Sequence, residues 1–465
     1  MEVVLGFISL AGIWTWIKIM GLLTGILAGQ WYLHRWFQQM ARTMRWQGIH
    51  QWLKPGITLW FVALNIPSFW ILGWLLSHGI PYPYLAGPAI DRLPTLVALP
   101  FTVWQWSSLA CIGVLITTQI SHWLWKKSQI WRARRRLAIR ATAKEQPAAP
   151  AVSQPVPQVL EAVPAPIPTS VLPDEATPLI PRPAVGRREF IQAASLALTT
   201  SPFLVSTYGA YIARESYRLE RLSLTLPGMP PELRGTTIVQ LTDVHAGVFM
   251  DHHRLMEFVD VANGLNPDLI VLTGDYVPYS STCVPLFIGA FRHLRARYGV
   301  YATLGNHDLF TNSVDALAEG FRNHNIRLLI NEQETIWIRG AKLNLMGITY
   351  IPQSRHERLA DLTFDAAMRR LEVRDTSILL SHQPNVFPKA LERNIPLTIS
   401  GHTHGGQVKV EFLGQDIAPS RLMTDFTAGL YQLDGSQLYV SRGVGTSGPP
   451  VRLGSVPEIT QITLV

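Results

Sequence analysis

The chain has little cysteine and, over its first half, little charge. Cys111 and Cys283 are the two cysteines in 465 residues, and they stand far apart. That excludes a disulfide framework and any CxxC metal site. There is no P-loop, and the glycines at 443, 445 and 448 make no GxGxxG loop, so no nucleotide cofactor is indicated. A basic surplus is missing where an enzyme for nucleic acid would need it. Residues 1–213 carry 17 Lys+Arg against 7 Asp+Glu, whereas residues 214–465 carry 23 against 25. The net charge of +8 therefore belongs to the first half, and no nucleic-acid partner is expected.

Apolar sequence is what the chain has in excess. The hydrophobic fraction is 48% and the mean hydropathy +0.15, with nearly all long uncharged runs before residue 214. Residues 1–37 are apolar except for Glu2, Lys18, His34 and Arg35, enough for one membrane helix. The run 57–76 is uncharged and contains Pro67, which fits a kinked second helix. The run 93–125 has no charge and is long enough for a tilted third. Such lengths, with Trp near the ends, suit a bilayer better than a soluble core. Residues 1–125 are thus expected to form a multi-span helical membrane domain of about three helices.

Loop charge orients it. Arg35, Arg42, Arg45 and Lys54 surround the first loop, only Asp91 and Arg92 mark the second, and eight cations from Lys126 to Lys144 follow the third span. The positive-inside rule puts the first loop and the basic segment in the cytoplasm and the N-terminus outside. Residues 126–186, basic and then Pro/Ala-rich, read as a cytoplasmic linker. Arg187-Arg188-Glu189-Phe190-Ile191 and the weakly apolar run to residue 213 resemble a twin-arginine export signal, which would engage that export machinery. The other reading of 187–213 is a fourth transmembrane helix. Both carry residues 214–465 to the extracytoplasmic side of the cytoplasmic membrane.

From about Tyr217 the pattern changes to alternating strands and amphipathic helices. Strands are expected at 236–241, 268–273, 299–304, 343–347, 377–380, 397–400, 437–441 and 459–464, and helices at 254–263, 284–297 and 314–323. Successive βαβ units imply an α/β domain with parallel strands, and functional residues then gather at the carboxyl ends of the strands. Five polar motifs sit at such ends: Asp243-Val244-His245, Gly274-Asp275, Gly305-Asn306-His307-Asp308, Ser381-His382 and Gly401-His402-Thr403-His404. Singly, each has a bland reading as a turn or a satisfied polar residue. Together and in order, they supply the Asp, Asn and His donors that a pair of divalent metals needs. Asp275 is the natural bridge, because a carboxylate can serve two cations. His252, His253, His293, His324 and His356 read as solvated, with Asp251 a helix N-cap.

The ordered set DxH, GD, GNHD, H and GHTH resembles the calcineurin-like metallophosphoesterase family over residues 236–410 or so. The resemblance implies a two-sheet αββα sandwich flanked by helices. It implies one metal held by Asp243, His245, Asp275 and His404 and a second held by Asp275, Asn306, His382 and His402. His307 would assist the transition state or protonate the leaving oxygen, oriented by Asp308. The two ions would be Mn, Fe, Zn or Co, and a metal-activated hydroxide would attack phosphorus in line. The membrane runs, the Arg pair, Arg442-Gly443-Val444-Gly445 and Pro457-Glu458-Ile459 further resemble a bacterial envelope-associated subgroup, some of whose members look like phosphodiesterases, including enzymes cleaving UDP-diacylglucosamine.

The leading expectation is a membrane-anchored phosphoesterase acting on a phosphodiester, phosphomonoester or pyrophosphate, with a lipid-linked substrate suiting the tether. A membrane sensor or transporter with a regulatory domain predicts gaps among the ligands and ionisable residues in the spans, and neither occurs apart from Lys18. A protein phosphatase or a nuclease is the other alternative. If residues 187–213 act as a twin-arginine signal, the double substitution Arg187→Lys and Arg188→Lys strands the domain in the cytoplasm. Protease protection in spheroplasts measures this, and normal export of the double variant rejects the signal reading.

Overall fold

A computed structural model describes residues 10–43, 50–78, 87–144, 186–352, 356–370, 376–412 and 415–465. Contacts divide the chain into two compact units, residues 1–109 with 202–465, and residues 110–201. Among the described residues, four long helices precede residue 214: α1 (Leu10–Thr43), α2 (His50–His78), α3 (Thr95–Lys144) and α4 (Arg187–Tyr208). A single turn, Gly87–Ile90, lies between α2 and α3, and a π-turn, Gly209–Ala213, continues α4. Among the described residues, Trp52–Trp74 and Thr95–Ala133 are long and apolar enough to cross a membrane. The face of α2 is not a soluble core: Leu59, Ile66 and Phe69 are each 60–71% exposed, which water does not tolerate in a contiguous patch. In the second unit the Cys111 thiol donates to the Thr199 carbonyl at 2.8 Å. The linker 145–185 lies outside the described residues, as do the side chains of Arg187, Arg188 and His356.

Residues 214–465 build two six-stranded sheets. Its strands are β1 (Arg218–Leu224), β2 (Thr237–Leu241), β3 (Leu269–Leu272), β4 (Val300–Ala302), β5 (Ile326–Leu328), β6 (Glu332–Ile338), β7 (Ala341–Ile348), β8 (Thr376–Ser381), β9 (Leu397–Ser400), β10 (Val410–Phe412), β11 (Gln415–Ile417), β12 (Gly429–Leu433), β13 (Ser436–Val440) and β14 (Glu458–Leu464). One sheet runs β1-β14-β2-β3-β4-β5 and the other β12-β13-β9-β8-β7-β6, with β10-β11 a separate hairpin. Both sheets are mixed. β2 to β5 are parallel and β14 is antiparallel to β2. β7, β8, β9 and β13 are parallel, with antiparallel β6 and β12 at the edges.

Burial follows the two-residue period of the strands. Ile238, Leu269, Val271, Ile378, Leu380, Leu397, Ile399 and Ile462 point between the sheets into one apolar layer. Val239, Leu241, Ile270 and Leu272 point the other way, against α5 (His252–Gly264), α6 (Val284–Phe291) and, beyond a short α7 (Asn306–Phe310), α8 (Val314–Asn323). Met346, Leu379, Leu438 and Val440 back onto α9 (His356–Ala367) and α10 (Phe387–Glu392). Because both faces are covered, the central strands read as unbroken apolar runs.

The helix expected at 284–297 is shorter than its pattern. It ends at Phe291, because Asn263 of α5 donates to the His293 carbonyl at 2.9 Å and accepts from Arg295 N–H at 2.7 Å, holding 293–295 in a turn. Asp251 caps α5 through the Arg254 N–H at 3.0 Å. His252, His253 and His293 are exposed and His324 is half-buried.

One polar contact ties the sheets together beside the strand ends. Glu458 of β14 is 2% exposed, accepts from Tyr439 Oη of β13 at 2.7 Å and from Arg442 N–H at 3.1 Å, and pairs with the Arg442 guanidinium. Arg442→Met therefore leaves a buried carboxylate without its cation. It is expected to destabilise residues 214–465 by about 3 kcal/mol, read as a drop in the midpoint of thermal unfolding. An unchanged midpoint contradicts the assignment.

Candidate metal centre

The loops that leave β2, β3, β4, β8 and β9 converge at one end of the two sheets. All nine residues singled out from the sequence lie there. Their backbones are unusual: Asp243, His245, Asp275, His402 and His404 have φ of 53°, 48°, 58°, 74° and 52°. Asp, Asn and His enter this left-handed region more readily than other side chains, at a cost of about 1–3 kcal/mol each. The glycines of the motifs have a second duty besides turning the chain. A Cβ at Gly305 would lie 2.1 Å from Asp275 Oδ1, and one at Gly401 would lie 2.3 Å from Asp243 Oδ2.

Three groups of donor atoms come together, each within 4.8 Å: Asp243, His245 and His404; His245, Asp275 and His307; and Asp275, His382 and His402. Asp275 Oδ2 is 3.2 Å from His382 Nε2, 3.7 Å from His245 Nε2 and 4.0 Å from His307 Nε2. His404 Nε2 lies 3.4 Å from Asp243 Oδ1 and 3.2 Å from His245 Nε2, and His402 Nδ1 lies 3.1 Å from His382 Nε2. Of these seven residues and Asn306, all are buried but His402, which is half-buried. Asn306 Oδ1 is a buried acceptor that no described group satisfies. Buried oxygens of that kind want a donor or a cation. The donor set, carboxylate and amide oxygen with imidazole nitrogen, fits two divalent ions.

Hydrogen bonds behind the donors fix which atom faces inward. His382 Nδ1 donates to the Thr273 carbonyl at 2.8 Å, leaving Nε2 toward Asp275. Outer contacts of this type set the tautomer of a ligating histidine. Both Asp243 oxygens accept the His402 N–H at 3.0 Å. The arrangement sorts protons. Burial, then neighbouring imidazolium charge, pulls His245 and His402 down to about 3, so both are neutral donors at pH 7. Burial also opposes a charge on His382, but the Asp275 carboxylate outweighs it and lifts His382 to about 9. Burial would raise Asp275, and His382, His307 and His245 together hold it well below the carboxylate range.

The Asp308 carboxylate accepts the backbone N–H groups of Asp275, Tyr276 and Gly305, each at 2.9 Å, and so clamps two metal-site loops to each other. The Pro278 carbonyl accepts from His307 Nδ1 and orients the ring, while Nε2 lies 3.3 Å from Ser447 Oγ. Arg452 went unnoticed in the sequence. It is fully buried and donates to the carbonyls of His404 (2.9 Å), Arg442 (2.8 Å) and Gly445 (3.1 Å from Nε), with Nη2 3.2 Å from His404 Nδ1. No local motif marks it, since its partners are backbone atoms brought together by the fold. Asp275, Asn306, His307, His402 and His404 line a cavity of about 420 Å³, whose remaining wall includes Gln407, Val408, Met423, Ser447 and Pro449.

Residues 236–406 match the calcineurin-like phosphoesterase family. A metallophosphoesterase of Aquifex aeolicus is 31% identical over 270 residues, covering 56% of this chain and 98% of its own length. The Bacillus subtilis metallophosphoesterase YkuE is 29% identical over 290 residues, covering 60% of this chain and 98% of its own. A cattle transmembrane protein with metallophosphoesterase domain is 30% identical over 282 residues, or 58% of this chain, which spans 62% of the cattle protein's length.

A metal ion entering beside His382 must displace its Nε2 proton. His382 carries that proton below about pH 9, so affinity in this half of the centre is expected to fall by about tenfold per pH unit below that point. Metal uptake at pH 7.5 then releases about one proton. Calorimetric Mn titration of the metal-stripped full-length protein in buffers of different ionisation heat measures it, and uptake without proton release contradicts the assignment.

Proposed function

Because this chain belongs to the calcineurin-like phosphoesterase family, we propose that it is a membrane-anchored hydrolase of phosphate esters that works with two divalent ions. Asp243, His245, Asp275 and His404 would hold one ion, and Asp275, Asn306, His382 and His402 the other. The observation that carries this reading is the convergence of three separate donor groups, two of which share Asp275. Two bound cations would supply Lewis acidity and charge neutralisation for phosphoryl transfer.

The chain's own residues prepare the rest. His307 faces the cavity through Nε2, while its Nδ1–H donates to Pro278. When doubly protonated it can therefore give a proton from Nε2 to a leaving oxygen. Asp308 keeps the 274–276 and 305–308 loops at fixed separation, which positions His307 and Asp275 together. Gln407 braces the opposite wall, donating to the carbonyls of Ser447 (3.0 Å) and Pro449 (2.7 Å) and accepting from Ser447 N–H (2.9 Å).

A lipid-linked or cell-envelope phosphodiester or pyrophosphate, of which UDP-diacylglucosamine is one example, is the substrate class we favour. Its support is the cavity wall. Val408 lines the cavity and packs in one apolar cluster with Leu99 and Val103 of α3, Ala210 and Val451. The extracytoplasmic placement has parallel support, since Thr95 Oγ1, at the first residue of α3, donates to the Val248 carbonyl at 3.0 Å. The start of α3 and the catalytic domain then share one side of the membrane. Retention of 187–213 as a fourth span is favoured over a cleaved signal. Phe203 stacks on Trp104 at 5.4 Å, and Gly209 O accepts the Arg452 N–H at 3.1 Å, so the helix packs into the protein at both points.

Hydrolysis of bis-p-nitrophenyl phosphate and of p-nitrophenyl phosphate by full-length protein in detergent with Mn tests the reading. Asp275→Asn is expected to lose more than about 100-fold, since even outer-partner substitutions at metal sites cost 10–100-fold. Equal turnover by the variant, or turnover that ignores chelation, would rule the mechanism out. The ratio of the two rates reports diester against monoester preference.

A further inference from the structure

The metal cavity has two unlike rims. One is continuous with the helices: Val408 and Phe249 pack on Leu99, Val103, Ala210 and Val451, where α3 begins and α4 ends. At this level the helices expose Leu96 (90%), Tyr208, Tyr211 and Ile212, the mixture of aromatic and aliphatic side chains found where a span leaves the bilayer. The other rim is the turn Pro419–Leu422 with Met423 and Thr424. Its tip presents Arg421, Leu422 and Met423 outward, with Leu422 92% and Met423 61% exposed.

That exposure is not slack in the chain. Arg421 N–H donates to the Ala418 carbonyl at 3.1 Å, Met423 N–H and Thr424 N–H donate to Ser420 at 2.9 and 3.0 Å, and Asn385 Nδ2 reaches the Met423 carbonyl at 3.4 Å. A braced turn that holds a leucine almost wholly in solvent beside a cation has the composition of a bilayer-contacting element. Its occupant follows from continuity. The cavity lies between this turn and Val408, which packs on the start of α3 and the end of α4, so the tip and the helix ends lie on either side of one cavity wall.

We propose that the 419–423 turn contacts the bilayer that the helices enter, Leu422 and Met423 dipping among the acyl chains and Arg421 meeting lipid phosphate. The mouth of the metal cavity then opens at headgroup level, and a phosphate ester on a lipid reaches the metals without leaving the membrane. This rests on the reading of α2 and α3 as membrane spans, and the test separates the two.

Cys111 and Cys283 are buried, so a cysteine introduced by Leu422→Cys takes an environment-sensitive fluorophore selectively. Leu433→Cys is the control, since Leu433 is 50% exposed and sits where β12 turns into β13, at the opposite end of β13 from the metal centre. The full-length protein is reconstituted in phosphatidylcholine–phosphatidylglycerol vesicles containing a doxyl lipid. The label at 422 is expected to be quenched at least twofold more than the label at 433. Equal quenching at the two positions overturns the proposal. Native tryptophan reads the premise independently, because all but Trp337 of the 15 lie before residue 132. Quenched tryptophan with an unquenched 422 label removes the turn contact alone, whereas unquenched tryptophan removes the membrane reading and the proposal with it.

Discussion

The buried carboxylate of Asp275 is the constraint on which the rest of the catalytic half depends. A charge taken out of water is tolerated only when paired and hydrogen-bonded. Here Oδ2 faces imidazole nitrogens of His382, His245 and His307 within 4.0 Å, and Oδ1 accepts the His307 N–H at 2.9 Å. Those imidazoles come from three different strand ends, so the carboxylate is satisfied only when both sheets are assembled. Asp275 also sits at φ 58° with Gly305 pressed against it. The strain and the crowding are held in place by the clamp that Asp308 makes on both loops. Folding and the capacity for two cations are one requirement seen from two sides.

Much of this was legible because the chemistry sits at the ends of buried parallel strands. An apolar run such as Leu269–Leu272 announces itself, and Gly274-Asp275 follows it directly. The observed bounds at β9 and α8 coincide with those expected from the pattern. The strands at the sheet edges were not legible. β1 reads RLERLSL and β6 reads EQETIWI, charged and half-exposed, and β1 finds its partner at β14, more than 200 residues on. Nothing local encodes such a pairing. Arg452 was missed for the same reason, and so was the Asp308 clamp, which reaches the Asp275 and Tyr276 amides more than 30 residues away as well as the Gly305 amide of its own loop.

The link between the membrane half and the centre is short. Gly209 O accepts the Arg452 N–H, and Arg452 in turn grips the His404 carbonyl and touches its ring. A Cβ at Gly209 would lie 2.5 Å from Val451 Cγ1, so the helix end and this loop are in close contact. The end of α4 and the loop that holds His404 are therefore joined through one residue, Arg452.

Anomalous diffraction from crystals of the Mn-loaded full-length protein would locate the ions themselves. Two separate peaks are expected, one among Asp243, His245 and His404 and one among Asn306, His382 and His402, both bordering Asp275. A single peak, none, or a pair that does not border Asp275 would rule out a two-ion centre built on that carboxylate.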